Sequence, residues 1–319
     1  VVLHIIGEGA STVTALQVEA ENSKVNPREK TARRLLGSSA KNSYAPELDI
    51  DWAAPPVDGL WHMQPERMSL YGTPLWDALS HEQQIELSKH EVISVARVGL
   101  WFEILLMGML AAHAYNQDPA SEHTQYALTE IGDETRHSVM FARWADKYGG
   151  KEYKPHRIVH HLGKVFRLVA PTGPSMWAAT LVAEELLDRL QRDGMADERM
   201  QPLSRMVSRI HVIEEARHVR FAREELTRDM ERAHRGPVLW FHQVFAALAA
   251  ALIADSIISP KVYESVGLDL KQARRAARRN PEFHATKQWM AEKIIPFLDE
   301  VGMINPVARL IYRRAHLIP

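Results

Sequence analysis

Carboxylates and imidazoles at helical spacing are the raw material for chemistry in this chain. A Glu and a His three residues apart on a helix lie nearly one turn apart on the same face, so both can reach one cation. Three such pairs occur: Glu134/His137, Glu215/His218 and Glu231/His234. With 26 glutamates and 16 histidines in 319 residues, chance alone gives about one. Number therefore decides little, and spacing decides more. Glu103 precedes Glu134 by 31 residues, and Glu184 precedes Glu215 by 31. A dinuclear carboxylate centre in a four-helix bundle needs one lone Glu from each of two helices and a Glu-x-x-His from each of the other two. The two halves of this sequence each supply that set in the same register.

The two inner pairs also share a wider string. Asp133-Glu134-Thr135-Arg136-His137 and Glu214-Glu215-Ala216-Arg217-His218 repeat an acid-Glu-x-Arg-His order. Asp133 and Glu214 are expected to accept hydrogen bonds from the ligating imidazoles and fix their rings. Glu231/His234 lacks such a string, abuts Arg235-Gly236-Pro237, and reads as a solvated helix end. Glu103 sits in an apolar stripe of Gly99, Leu100, Leu106, Met107 and Leu110, while Glu184 has Trp177, Leu181 and Leu187 on its face. Adjacent Glu185 shares its side with Arg189 and Arg192, so Glu184 is the inward one. A buried lone carboxylate takes up a proton or finds a cation. Four aimed at one core favour the cation over ordinary salt bridges. His211, four before Glu215, joins the same stripe, either as a third imidazole ligand or as a core histidine bonded to a carbonyl. Glu130, its equivalent in the first half, reads as a supporting carboxylate or one member of a helix-face pair, with a role as a further ligand left open.

The candidate metal ligands are therefore Glu103, Glu134, His137, Glu184, His211, Glu215 and His218. Oxygen and imidazole donors without thiolate suit iron or manganese, and a carboxylate-rich dinuclear pattern favours iron. Four carboxylates balance two divalent ions and leave room for oxidation. Such a centre is poised to reduce dioxygen. With no cysteine in the chain, disulfides, thiolate zinc sites and cysteine-held iron–sulfur clusters are excluded.

Helices must carry these residues, and the sequence reads as all-α with a four-helix bundle at its heart. Helical stretches are expected at roughly 75–115, 119–148, 156–169, 175–193 and 197–233, then 237–258, 268–279 and 284–299. Thr73-Pro74 and Asp118-Pro119 look like starts, Gly149-Gly150 and Gly194 like stops. Pro202 is expected in the first turn of the fifth helix or at a kink in it. Residues 1–72 are rich in breakers and read as an irregular arm with a short helix near Arg28–Leu36, packed on a helical domain at 73–319. Lys plus Arg (39) nearly equals Asp plus Glu (40), so no field recruits nucleic acid or an anionic membrane. Val1–Ile6 does not read as a secretory signal. The apolar run Val92–Ala112 holds Glu103 near its middle, which lipid would penalise, and Val244–Ile258 reads as too short to span. Gly7-x-Gly9 lacks the third glycine of a nucleotide loop. His156, His160 and His161 read as a solvated face.

On these residues the sequence resembles the ferritin-like diiron arylamine N-oxygenases, typified by p-aminobenzoate N-oxygenase. The likeness runs from about residue 30 to 235, including Tyr44–Trp52. His211 is its discriminating residue, since that family's centre has three histidines. The resemblance implies a diiron enzyme that uses O2 to oxidise an amine nitrogen to hydroxylamine and nitro products. It further implies an external reductase or ferredoxin as electron donor, a small-molecule amine substrate, a cytoplasmic location, and no nucleic-acid or membrane partner. Manganese is expected as a substitute metal, and broad apolar helix faces suggest a homodimer. The alternatives are diiron oxidation at carbon and, more remotely, iron storage or a metal-stabilised bundle. A tyrosyl-radical role is disfavoured because the place four after His137 is Phe141.

Overall fold

A computed structural model describes residues 26–149, 153–154, 157–169 and 172–319. The Val1–Ile6 and Gly7–Gly9 readings, Gly150 and His156 lie outside these residues. The described residues are helical, and their one extended pairing is an isolated bridge between Trp61 and Met200.

Four long helices form the centre. They are α4 (His81–Tyr115), α5 (Glu122–Lys147), α7 (Pro174–Gly194) and α8 (Pro202–Arg232). Helices α4 and α5 pair through a short turn, as do α7 and α8. The two hairpins then meet, with α5 on α8 and α4 on α7. Each start has a local cause. Ser80 caps α4 in a capping box with Gln83, and the Ser121 hydroxyl accepts from Thr124 N in α5. Helix α7 opens with Gly173 in left-handed backbone (φ 88°) followed by Pro174, and α8 opens on Pro202. Pro202 thus lies in the first turn and does not kink the helix.

Smaller elements wrap this bundle. Helix α1 (Pro27–Lys41) lies against α5 and α8, and one-turn α2 (Pro46–Asp49) touches α5. A 3-10 turn (Pro65–Arg67) and α3 (Pro74–Asp77) follow. Helix α6 (Arg157–Val169) packs on α4. Helix α9 (Pro237–Ser256) packs on α7 and runs into a 3-10 turn at Pro260–Val266. Helix α10 (Leu270–Arg279) packs on that turn and on α11 (Pro281–Ala291), while α11 and α12 (Ile294–Glu300) lie on α7 and α13 (Pro306–Arg314) lies on α9.

Several expectations need correction. The stretch from 75 does not run unbroken: Thr73 caps only the single turn of α3, and the long helix starts at Ser80. The stretch at 284–299 is two helices, α11 and α12, and α13 was not foreseen. Helix α1 runs to Lys41, beyond Leu36. The later apolar segment is longer than the Val244–Ile258 run. Helix α9 and the 3-10 turn after it together cover Pro237–Val266, 30 residues with 28% of their most apolar window buried, so this segment and α4 are both long and apolar enough to cross a membrane. In α4 that window is 56% buried, and Glu103 within it faces the bundle.

Candidate metal centre

The seven expected side chains converge between the two hairpins, all of them buried. Glu103 comes from α4, Glu134 and His137 from α5, Glu184 from α7, and His211, Glu215 and His218 from α8. Donor atoms of Glu134, His137, Glu215 and His218 lie within 4.8 Å of one another. So do those of Glu103, His137 and His211, and those of Glu184, His211 and Glu215. His137 Nδ1 is 3.1 Å from Glu134 Oε2, and His218 Nδ1 is 3.0 Å from Glu215 Oε2. Each Glu-x-x-His pair therefore closes on itself, as its helical spacing requires.

The outer ring nitrogens are held crosswise. His137 Nε2 lies 2.9 Å from Glu214 Oε2, and His218 Nε2 lies 3.2 Å from Asp133 Oδ2. Each acid of the repeated string thus serves the imidazole of the opposite hairpin. Asp133 also accepts from Arg136 and from Arg217 (3.3 Å), while Glu214 Oε1 accepts from the Tyr44 backbone N–H at 2.9 Å. The segment after α1 is thereby tied into the shell around the histidines. A neutral imidazole that donates from Nε2 to a carboxylate offers its Nδ1 lone pair inward.

His211 is oriented the other way round. Its Nδ1 is 2.6 Å from Gln191 Oε1 on α7, so the ring donates there. Its Nε2 faces inward, 3.5 Å from Glu103 Oε1, with no hydrogen-bond partner. Of the two readings left open for His211, the geometry favours the inward ligand. Phe141, four after His137, packs on the His211 ring at 4.9 Å between centroids.

Glu103 Oε2, Glu184 Oε2, Glu215 Oε1 and both oxygens of Glu130 are also buried without hydrogen-bond partners. Orphaned anionic oxygens in a dry core are costly unless a cation meets them. The charge balance says the same. Burial, reinforced by Glu134 and Glu184, pushes the Glu103 carboxyl well above the usual carboxylate range. Burial together with Glu215 does so for Glu184. Burial also opposes charge on His137, yet hydrogen bonds to Glu134 and Glu214 outweigh it and push this imidazole up to about 9. Protons and imidazolium share a role that divalent cations perform better, and binding such cations displaces those protons. Oxygen and imidazole donors fit two first-row metal ions of the iron or manganese type. Glu130, four before Glu134 on α5, sits at the edge of this group outside the three donor clusters.

Adjacent Glu185 is outside these donor clusters and grips Arg223 on α8 through both oxygens, at 2.8 and 2.6 Å. Glu231, His234, His160 and His161 are exposed, as read from sequence. Two features had no sequence signal. One is a second buried cluster of His113, His123 and Glu225, whose Glu225 is already neutralised by Arg28 at 2.6 Å. Arg28 also lies 2.8 Å from His123 Nε2, so this group ties α1 to α4, α5 and α8 and does not call for a cation. The other is a cavity of about 260 Å³ against Glu184, bounded by α4, α6, α7 and α9.

Comparison with known proteins extends the match. The family model for P-aminobenzoate N-oxygenase AurF matches residues 25–302, well past the 30–235 region that carries the sequence likeness. Uncharacterized proteins of Mycobacterium bovis and Mycobacterium tuberculosis are 27% identical over 290 residues, covering 88% of this chain and 84% of theirs. Among solved structures, a variant of an R2-like ligand-binding oxidase with an aerobically reconstituted Mn/Fe cofactor aligns at 15% identity and TM-score 0.44. The alignment covers 83% of this chain and 94% of that one. A second R2-like ligand-binding oxidase, after photoconversion, aligns at 15% identity and TM-score 0.41, over 90% and 99% respectively.

Proposed function

The chain belongs to the P-aminobenzoate N-oxygenase AurF family, and from that premise we propose that it is a diiron oxidoreductase that uses O2 to oxidise an arylamine nitrogen. The observation that carries this reading is the inward, unpartnered Nε2 of His211, which completes a set of three imidazoles and four carboxylates. Glu103, Glu134, His137, Glu184, His211, Glu215 and His218 would hold the two ions, with manganese as a substitute. When bound, the ions supply redox capacity and Lewis acidity.

The chain's own residues do the rest. Four carboxylates offset the charge of two divalent ions. Asp133 and Glu214 keep the Nε2 protons of His218 and His137, and Gln191 holds the proton on His211 Nδ1. Apolar side chains of α4 and α7 exclude water from the reacting face. In the balanced first step the amine gains one oxygen atom and becomes a hydroxylamine. The other oxygen atom leaves as water, with two electrons and two protons from an external ferredoxin or reductase. Hydroxylamine and a second O2 then balance to the nitro compound and water with no further electrons. We place the enzyme in the cytoplasm, where such donors are found, and read it as a homodimer.

The rival reading, oxidation at carbon, draws support from the apolar lining of the cavity beside Glu184. One experiment separates the two. The protein is analysed for metal, reduced without oxygen, mixed with O2, and then offered arylamines and matched amine-free arenes. Two irons per chain and a hydroxylamine or nitro product support N-oxidation. Products oxygenated only at carbon would replace it with the rival, and failure to bind metal after reconstitution would remove both.

A further inference from the structure

The geometry points to a substrate that is an uncharged arylamine, with carboxylated arylamines and aliphatic ammonium ions turned away by the cavity beside Glu184. The amine itself rests on the N-oxidation reading, whereas the selection against charge rests on the cavity alone. A cavity of about 150 Å³ holds benzene. At about 260 Å³ this one has room for a ring with an alkyl substituent or a second ring.

Its walls come from four helices. Helix α4 gives Trp101 and Leu105, α6 gives Gly163 and Phe166, and α9 gives Phe245 and Leu252. Among the described residues that line it, none is basic, and only Thr180 and Glu184 bear side-chain oxygen. Both lie on α7, four residues apart and so on one face. Glu184 is a candidate metal ligand, so the polar end of the cavity is the end that meets the metal centre. Thr180 Oγ1 is buried and has no hydrogen-bond partner. It is a positioning group that awaits one polar atom from a ligand.

The mouth is apolar as well. Leu162 is 41% exposed, Val165 46% and Leu248 47%, and all three line the cavity. The fit of α6 against α4 is close, since a Cβ at Gly163 would lie 2.5 Å from the Trp101 ring. A substrate carboxylate would find no described cation along this wall, and an aliphatic amine would have to shed its charge to enter. An arylamine meets neither obstacle. Its nitrogen lone pair is delocalised into the ring, so it is uncharged near pH 7 and still presents N–H groups to Thr180.

Equilibrium dialysis of the iron-loaded protein without oxygen tests this, using 4-propylaniline, p-aminobenzoate, 3-phenylpropylamine and propylbenzene as probes. The expected result is that p-aminobenzoate and 3-phenylpropylamine bind at least ~100-fold more weakly than 4-propylaniline. Thr180→Val should weaken 4-propylaniline by roughly 3- to 10-fold and leave propylbenzene unchanged. Ala249→Trp, which fills the cavity, should abolish both while circular dichroism and iron content stay at wild-type values. Equal binding of p-aminobenzoate and 4-propylaniline overturns the proposal, as does binding that ignores both substitutions. Failure of the functional reading looks different: 4-propylaniline binds selectively, yet on adding O2 only its alkyl carbons are oxidised.

Discussion

Gln191 decides what His211 can do. By accepting from Nδ1 at 2.6 Å it fixes the tautomer whose free lone pair faces Glu103 and Glu215. We expect His211→Ala to leave helicity intact and to lower the metal content from two ions per chain towards one. Gln191→Ala should keep the ligand but loosen it, weakening metal binding by about 10- to 100-fold in a chelator competition. Unchanged affinity in the Gln191 variant would show that the ring is oriented by packing alone. Glu184 and Glu185 divide their tasks in a similar way. Glu184→Ala should lose metal, while Glu185→Ala should keep it and unfold about 1–2 kcal/mol more easily, since half-exposed Arg223 loses its partner. Paired metal and denaturation measurements on the two variants check this. The seven inward residues were legible because helical spacing reports which side chains share a face. Gln191, the partner of His211, and Arg223, the partner of Glu185, were not, because spacing within one helix says nothing about which residue of another helix stands opposite.

Helix starts show the same division between local and distant causes. Ser80 and Gln83 satisfy each other's backbone donors, so α4 begins there and not at Pro74. Thr73-Pro74 looks equally good in sequence, but its helix stops after one turn at Asp77. Two competing starts seven residues apart cannot be ranked by propensity, because the choice depends on how Trp76 and Leu79 pack in the core. Ser80→Ala should destabilise the protein by about 1 kcal/mol in chemical denaturation without altering bound metal. A loss of metal in that variant would mean that the start of α4 sets the position of Glu103 more than 20 residues on. Helix α9, expected at 237–258, starts at Pro237 and ends at Ser256, and the 3-10 turn after it is closed by Gly267 in left-handed backbone (φ 78°).

At the scale of the whole molecule, pH sensitivity has a source outside the metal centre. Glu91 is fully buried on α4, and burial pushes its carboxyl up from 4.5 to about 7, although the Ser69 hydroxyl and N–H oppose the shift. The folded chain therefore holds this proton more tightly than the unfolded chain, and stability falls as pH rises from about 4.5 to about 7. The fall attributable to Glu91 is about 3 kcal/mol at 1.36 kcal/mol per unit. Glu91→Gln should remove that part of the slope, so the variant gains on wild type as pH rises through this window. Denaturation midpoints at pH 5 and pH 8 measure it, and parallel curves would mean that Glu91 is ionised throughout. The all-helical class and the doubled half-site were readable from the sequence, but the second buried cluster under α1 and the cavity were not, because both arise where elements far apart in the chain meet. The crosswise bonds of Asp133 to His218 and of Glu214 to His137 also constrain the family's history. Neither hairpin carries a finished half of the centre, so drift in one must be answered in the other. Among relatives, a change at 133 should travel with a change at 218, and 214 with 137, in preference to changes within one string. The repeated motif would then be inherited as two interlocked pairs, each split between the two halves of the chain.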